Sequence, residues 1–284
     1  MIEQTEPKRR DSRHRDEPAP IGVIGGSGFY EFVEHPSAVE VETPFGPPSE
    51  PVLTGVVGGR PVAFMPRHGR DHRFAPHQVP YRANLWALRA VGVRQVFAPC
   101  AVGSLRPELG PGSLVVPDQV VDRTSGREQT FYDGAGPVVH VAFADPYCPV
   151  GRQAVVAKAA EQRWPATDGG TLVVVPGPRF SSRAESAYHA ALGWSVVGMT
   201  GQPEATLARE LALCYTAIAV VTDLDAGVEA GAGVTRDEVF TVFARSVDRL
   251  RALLAAVIET LPAERACPCP HALDGQTLPF PLPS

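Results

Sequence analysis

Two aspartates, Asp223 and Asp225, close an apolar run in the stretch VVTDLDAG. Residues 216–222 read as a strand, and alternate residues of an extended chain point to one side. Two carboxylates confined to one small volume do not both ionise, so one keeps a proton near neutrality and can serve as a general acid. The competing readings are a turn-capping aspartate or a metal pair. No further acidic ligand lies within a few residues, which counts against the metal.

A second group stands in MPRHGRDHRF, where Arg67 and His68 follow a strand ending at Met65. The carboxyl ends of strands are where α/β sheets build ligand sites. The arginine fork matches phosphate oxygens, and the imidazole is expected to add another donor. His72, Arg73 and His77 follow closely. A solvated charged loop accounts for Arg70 and Arg73, but less well for an Arg-His pair between Pro66 and Gly69.

The run Ile21–Ile24 leads into Gly25-Gly26-Ser27-Gly28, a turn offering backbone N–H groups and the Ser27 hydroxyl. Glu31 stands where a dinucleotide fingerprint needs its third glycine, and no Gly-Lys-Ser/Thr follows for a nucleoside triphosphate. What remains is a small-anion cradle, or a glycine turn with no ligand. Small residues after strand 95–99, Cys100-Ala101-Val102-Gly103, let a ligand touch the backbone. Cys100 as a nucleophile lacks an evident histidine partner. Cys267-Pro-Cys269-Pro-His271 has C-x-C rather than C-x-x-C spacing and no second ligand pair, so no metal is expected.

These groups need a sheet to hold them. Strands are expected at 21–24, 51–57, 61–65, 95–99, 114–117, 172–176, 195–198 and 216–222, with helices at 78–91, 182–192, 204–213 and 236–260. Thr235 and Glu238 form a capping box for the last helix. Strands interleaved with helices indicate an α/β fold, a single domain with a central mixed β-sheet flanked by helices. Residues 1–20 read as a disordered leader and 21–284 as the domain. The Pro-rich tail, 262–284, carries Leu278, Phe280 and Leu282, and packs on its own chain or on a neighbouring subunit.

The chain has 284 residues, 44% apolar and 20% charged, with net charge −5. That balance gives no sign of nucleic-acid or anionic-membrane binding, so any anion site is built locally. No apolar run reaches the roughly 18–20 residues that span a bilayer. Five scattered cysteines fit a reducing cytoplasm rather than a disulfide framework.

In chain order, the blocks GGSG, TPFGPPS, RHGR, YRANLWAL, GSL, DQVVDRTSGR, FADPYCP, GPRFSSRAES, MTGQPEA and TDLDAG resemble the methylthioadenosine phosphorylase branch of the trimeric purine nucleoside phosphorylase family. The resemblance implies phosphorolysis of a purine nucleoside, with orthophosphate as co-substrate, no cofactor, and a homotrimer or a dimer of trimers. By motif, Ser27, Arg67, His68 and Thr200 would hold phosphate, helped by the backbone at Cys100 and Ala101. Phe180 and Met199 would sandwich base and ribose, while Asp223 and Asp225 would face the purine N7/N6 edge. Ser181 stands where 6-oxopurine relatives carry a glutamate, and with Asp223 it favours adenine; a 6-oxopurine nucleoside is the alternative substrate. Val239 and Phe240 would line the 5′ end, and His140 would act across the subunit interface. Cys100 replaces a frequent threonine, Gly198 a frequent asparagine, and Arg236 a small apolar residue. Arg236 either points inward, favouring a polar 5′ group, or snorkels outward and leaves an apolar pocket. A nucleotide-dependent oxidoreductase and a non-enzymatic nucleoside- or phosphate-binding protein are the competing functions.

Overall fold

The structure, a computed structural model, describes residues 19–26, 29, 32–164, 166–226 and 233–283. Its strands are β1 (Ile21–Gly25), β2 (Glu34–Val39), β3 (Val52–Val57), β4 (Arg60–Pro66), β5 (Gln95–Ser104), β6 (Leu114–Val116), β7 (Gln119–Asp122), β8 (Ala166–Asp168), β9 (Thr171–Val174), β10 (Val196–Gly198) and β11 (Cys214–Leu224). Its helices are α1 (Tyr81–Ala90), α2 (Pro149–Glu161), α3 (Arg183–Ala191), α4 (Gly201–Glu210) and α5 (Arg236–Thr260).

β1, β5 and β11 are apolar without polar alternation, and they lie parallel and buried in the middle of the sheet. Such runs need cover on both faces. Leu85 and Leu88 of α1 and Leu207 of α4 pack on one side with Ile24 and Met65. Val155 of α2 and Phe243, Leu250 and Leu254 of α5 pack on the other with Ile21, Val23 and Ile218. The described strands form one mixed sheet ordered β2-β3-β4-β1-β5-β10-β9-β7, with β11 on β5, β6 on β11 and β8 on β6.

One irregularity positions the site. Along one edge β5 pairs with β1 at Gln95–Phe97 and with β10 at Gly103–Ser104, while β11 fills the other edge. β1 is parallel to β5 and β10 antiparallel, so both send their carboxyl ends into the interval 98–102. That interval is a topological switch point, the place where such sheets bind ligands.

Most expected elements are present, with shifted ends. α1 starts at Tyr81 rather than 78 because Pro80 takes the N-cap. The Thr235–Glu238 capping box forms as expected, with Glu238 N donating to Thr235 Oγ1 at 3.4 Å and Thr235 N to Glu238 Oε2 at 3.1 Å. Sequence periodicity missed α2, β2, β7 and β8. β2 is an exposed edge strand containing Pro36, a composition that hides strands by design.

Apart from 19 and 20, the expected leader lies outside the described residues. Phe280 of the tail stacks on Tyr132 at 5.3 Å and meets Trp86 at 5.7 Å, so the chain's own surface takes it. The fold also overturns the expectation that Cys267 and Cys269 lack a second pair, because it brings Cys148 and Cys214 beside them. These partners are too distant in sequence for spacing to reveal. No helix among the described residues is long and apolar enough to cross a membrane.

Candidate active site

A cavity of about 410 Å³ opens at the β5 interval, a size suited to a small organic ligand. Arg67, His68, Cys100, Ala101, Thr200, Phe180, Ser181, Met199, Asp223, Asp225, Val239 and Phe240 all line it. Ser27 lies outside the described residues. His140 is exposed and not among the lining residues, with its backbone N–H on Gln276 Oε1 at 3.4 Å.

Arg67 leaves the end of β4 and is 1% exposed. Its Nε and Nη2 donate to Glu204 at 2.7 and 2.8 Å, and Nη1 donates to Pro99 O at 3.2 Å. Tyr215 Oη donates to the same carboxylate at 2.7 Å. Burial opposes the charge, but Glu204 outweighs it and holds the guanidinium above its ordinary value. Among the described residues this leaves two of its five N–H groups for a ligand. Thr200 precedes α4 and its side chain makes no capping bond, while α4 is broken at Gln202 (φ −124°, ψ 138°), so what Thr200 offers the cavity is its hydroxyl.

His68 behaves differently from expectation. Burial and the Arg67 charge lower it to about 3, so the ring is neutral. Its Nδ1 is 2.8 Å from Phe74 O, an acceptor, so Nδ1 carries the proton. Nε2 is then an acceptor, suited to a ligand O–H rather than to a bare oxyanion. Burial pushes the Cys100 thiol up to about 11, which keeps it protonated and unsuited to nucleophilic attack.

The acid pole sits at the end of β11. A bulge at Thr222 shifts the register so that Val221 pairs with Val102 and Asp223 with Gly103; such bulges re-aim side chains. Burial raises Asp223 to about 6, against the lowering effect of a 2.6 Å hydrogen bond from Thr222 Oγ1, with Asp225 adding to the rise. Thr222 Oγ1 also lies 3.2 Å from Val102 O, so its single proton can turn to that carbonyl when Asp223 is protonated. Asp225 is fixed by a short hydrogen bond from Ser186 Oγ on α3 and by its own N–H on Ser104 O at 2.9 Å. Gly103 leaves room for the two carboxylates, since a Cβ there would lie 3.0 Å from Asp223 Oδ2 and 3.3 Å from Asp225 Oδ1.

Phe180 and Met199 are among the residues that line the cavity. Gly177, at φ +63°, lies so close under Met199 that a Cβ would stand 2.6 Å from its sulfur. At the far end Arg236 lines the cavity while its guanidinium lies 4.8 Å from the Phe240 ring centre. His72 stacks on His68 at 4.3 Å and meets Phe240 edge-on at 5.7 Å. Burial, then the Arg236 charge, lowers His72. Sequence reasoning missed Glu204, Thr222 and Ser186. Glu204 sits in MTGQPEA with Thr200, and its being the one charged residue of that block is the signal that marked it.

Residues 20–259 match the Phosphorylase superfamily. A purine nucleoside phosphorylase of Streptomyces coelicolor is 60% identical, over 93% of this chain and 98% of that protein. An S-methyl-5′-thioadenosine phosphorylase of Mycolicibacterium smegmatis is 57% identical, over 93% and 99%. The solved structure of methylthioadenosine phosphorylase from Schistosoma mansoni with adenine is 38% identical, with TM-score 0.82, over 87% of this chain and 93% of that one.

Proposed function

The chain belongs to the phosphorylase superfamily, in the methylthioadenosine branch of its purine nucleoside phosphorylases, and we propose how its cavity carries out that reaction. The enzyme is a pentosyltransferase that cleaves S-methyl-5′-thioadenosine with orthophosphate, giving adenine and 5-methylthioribose 1-phosphate. The observation that carries the residue assignment is a single cavity lined by both the Arg67–Thr200 anion pole and the Asp223–Asp225 acid pole.

Phosphate sits against the free Arg67 N–H groups, the Thr200 hydroxyl and the backbone at Cys100 and Ala101, with Ser27 as a further donor. Because Glu204 already matches the Arg67 charge, the anion is held by directed donors more than by net charge. His68 Nε2 accepts from a protonated phosphate oxygen or a ribose hydroxyl. Adenine lies against Phe180 and Met199, with Ser181 nearby and its N7/N6 edge toward Asp223 and Asp225.

As the C1′–N9 bond breaks, positive charge develops on the ribosyl ring and negative charge on the purine. Asp223 gives its proton to N7, so the base leaves neutral, and Asp225 accepts from the 6-amino group. A phosphate oxygen then forms the new bond to C1′, held close enough to compete with water. Asp223 with Ser181 supports a 6-aminopurine over a 6-oxopurine. Val239 and Phe240 supply the 5′ pocket. Orthophosphate enters as co-substrate, and the steps above call on no cofactor.

The acting species is a homotrimer in a cytoplasmic purine-salvage role, with His140 of each copy completing a neighbour's pocket. In support, residues 123–148 carry no helix or strand, His140 is exposed, and Val138 is 73% exposed. Incubating the chain with methylthioadenosine, adenosine, inosine and methylthioinosine, with and without phosphate, tests the reading. Base release from the two 6-amino substrates, only with phosphate, supports it. Preference for the 6-oxo pair, or ligand binding without release, contradicts it.

A further inference from the structure

We propose that Cys148, Cys214, Cys267 and Cys269 form a tetrathiolate site for one zinc(II) ion that fastens the segment after α5 to the sheet. The four sulfurs lie within 4.8 Å of one another, and Cys214 Sγ is 3.4 Å from Cys267 Sγ. Zinc–sulfur bonds of about 2.3 Å in tetrahedral array place sulfurs about 3.8 Å apart. A disulfide needs about 2.05 Å and joins only two sulfurs. All four thiols are free, and three of the residues are buried.

The fold assembles this cluster from three places. Cys148, at the N-cap of α2, donates its N–H to Tyr215 O at 2.8 Å, next to Cys214 at the start of β11. Gly151 makes that approach feasible, because a Cβ there would stand 2.1 Å from Thr216 Oγ1. The chain after α5 is laid alongside by Arg265 Nη1 on Ala212 O at 3.0 Å and Gln95 Nε2 on Pro262 O at 3.3 Å. Prolines at 268 and 270 then stiffen the Cys267–Cys269 segment. Soft sulfur ligands select zinc over magnesium or calcium. With four protein ligands and no open position, the ion is structural rather than catalytic.

Metal analysis of the full chain, purified under reducing conditions without chelator, tests the site. The expected result is about one zinc per chain, released when a mercurial blocks the thiols. Cobalt(II) added to the metal-stripped chain should give the visible absorption of a tetrahedral tetrathiolate. Cys267→Ser/Cys269→Ser should lose the zinc and melt at a lower temperature, while keeping the wild-type rate of base release in the cold. Should that variant fail to fold, zinc analysis and the cobalt spectrum of the unmutated chain decide alone. A metal-free chain with freely reacting thiols overturns the proposal. So does a chain whose four cysteines are paired as disulfides, or one carrying iron in place of zinc.

Discussion

Glu204 grips Arg67 through two parallel bonds, Nε to Oε1 at 2.7 Å and Nη2 to Oε2 at 2.8 Å, with both side chains 1% exposed. The pair fixes which edge of the guanidinium faces the cavity. Glu204→Gln leaves a buried cation without its counter-charge, a loss of about 3–5 kcal/mol for such pairs. Denaturant titration should register that fall in stability. In what remains folded, KM for phosphate should rise more than KM for the nucleoside. Equal effects on both would reduce Glu204 to a purely structural role.

Asp223 titrates near 6 in the folded chain against a usual 3.8. In the proposed role of general acid Asp223 must be protonated, so that role predicts a kcat/KM that falls as pH rises above about 6. Asp223→Asn should remove that limb and lower the rate by about 10²–10⁴-fold. Stability carries the matching sign. The folded carboxyl binds a proton between 3.8 and about 6 that the unfolded one releases, so ionised Asp223 costs stability as pH climbs through that window. The shift is equivalent to roughly 3 kcal/mol at neutral pH, and Asp223→Asn should recover much of it in a melt at pH 7.

Thr222 lowers Asp223 through a 2.6 Å hydrogen bond to the carboxylate. Thr222→Val removes that bond while keeping the shape. The basic limb of the pH–rate profile should therefore move upward. A downward move would mean that Thr222 does not stabilise the ionised form.

Arg236 covers the Val239–Phe240 end of the cavity with its guanidinium 4.8 Å from the Phe240 ring centre. Arg236→Leu makes that end more apolar. The ratio of kcat/KM for methylthioadenosine over adenosine should rise about tenfold, the usual scale for one apolar group in a pocket. An unchanged ratio would place the 5′ group elsewhere.

The α/β class, the central strands and the long capped α5 were legible because they follow from periodicity and turn chemistry within short windows. The same holds for Arg67, His68, Asp223 and Asp225, which stand at the ends of apolar runs. Glu204 as the partner of Arg67, Ser186 as the partner of Asp225 and Cys148 beside Cys267 were not legible. Each is a contact between segments far apart in the chain, set by sheet order and by the bulge at Thr222. The role of His68 as an acceptor was equally hidden, because Phe74 O fixes its proton only once the loop is folded.

Phosphorus NMR of the chain with methylthioadenosine and orthophosphate, followed alongside adenine release, tests the central claim most directly. One sugar 1-phosphate should form, and one orthophosphate disappear, for each adenine released, and Asp223→Asn should slow both together. Adenine released with orthophosphate unconsumed would mean hydrolysis and would contradict the account.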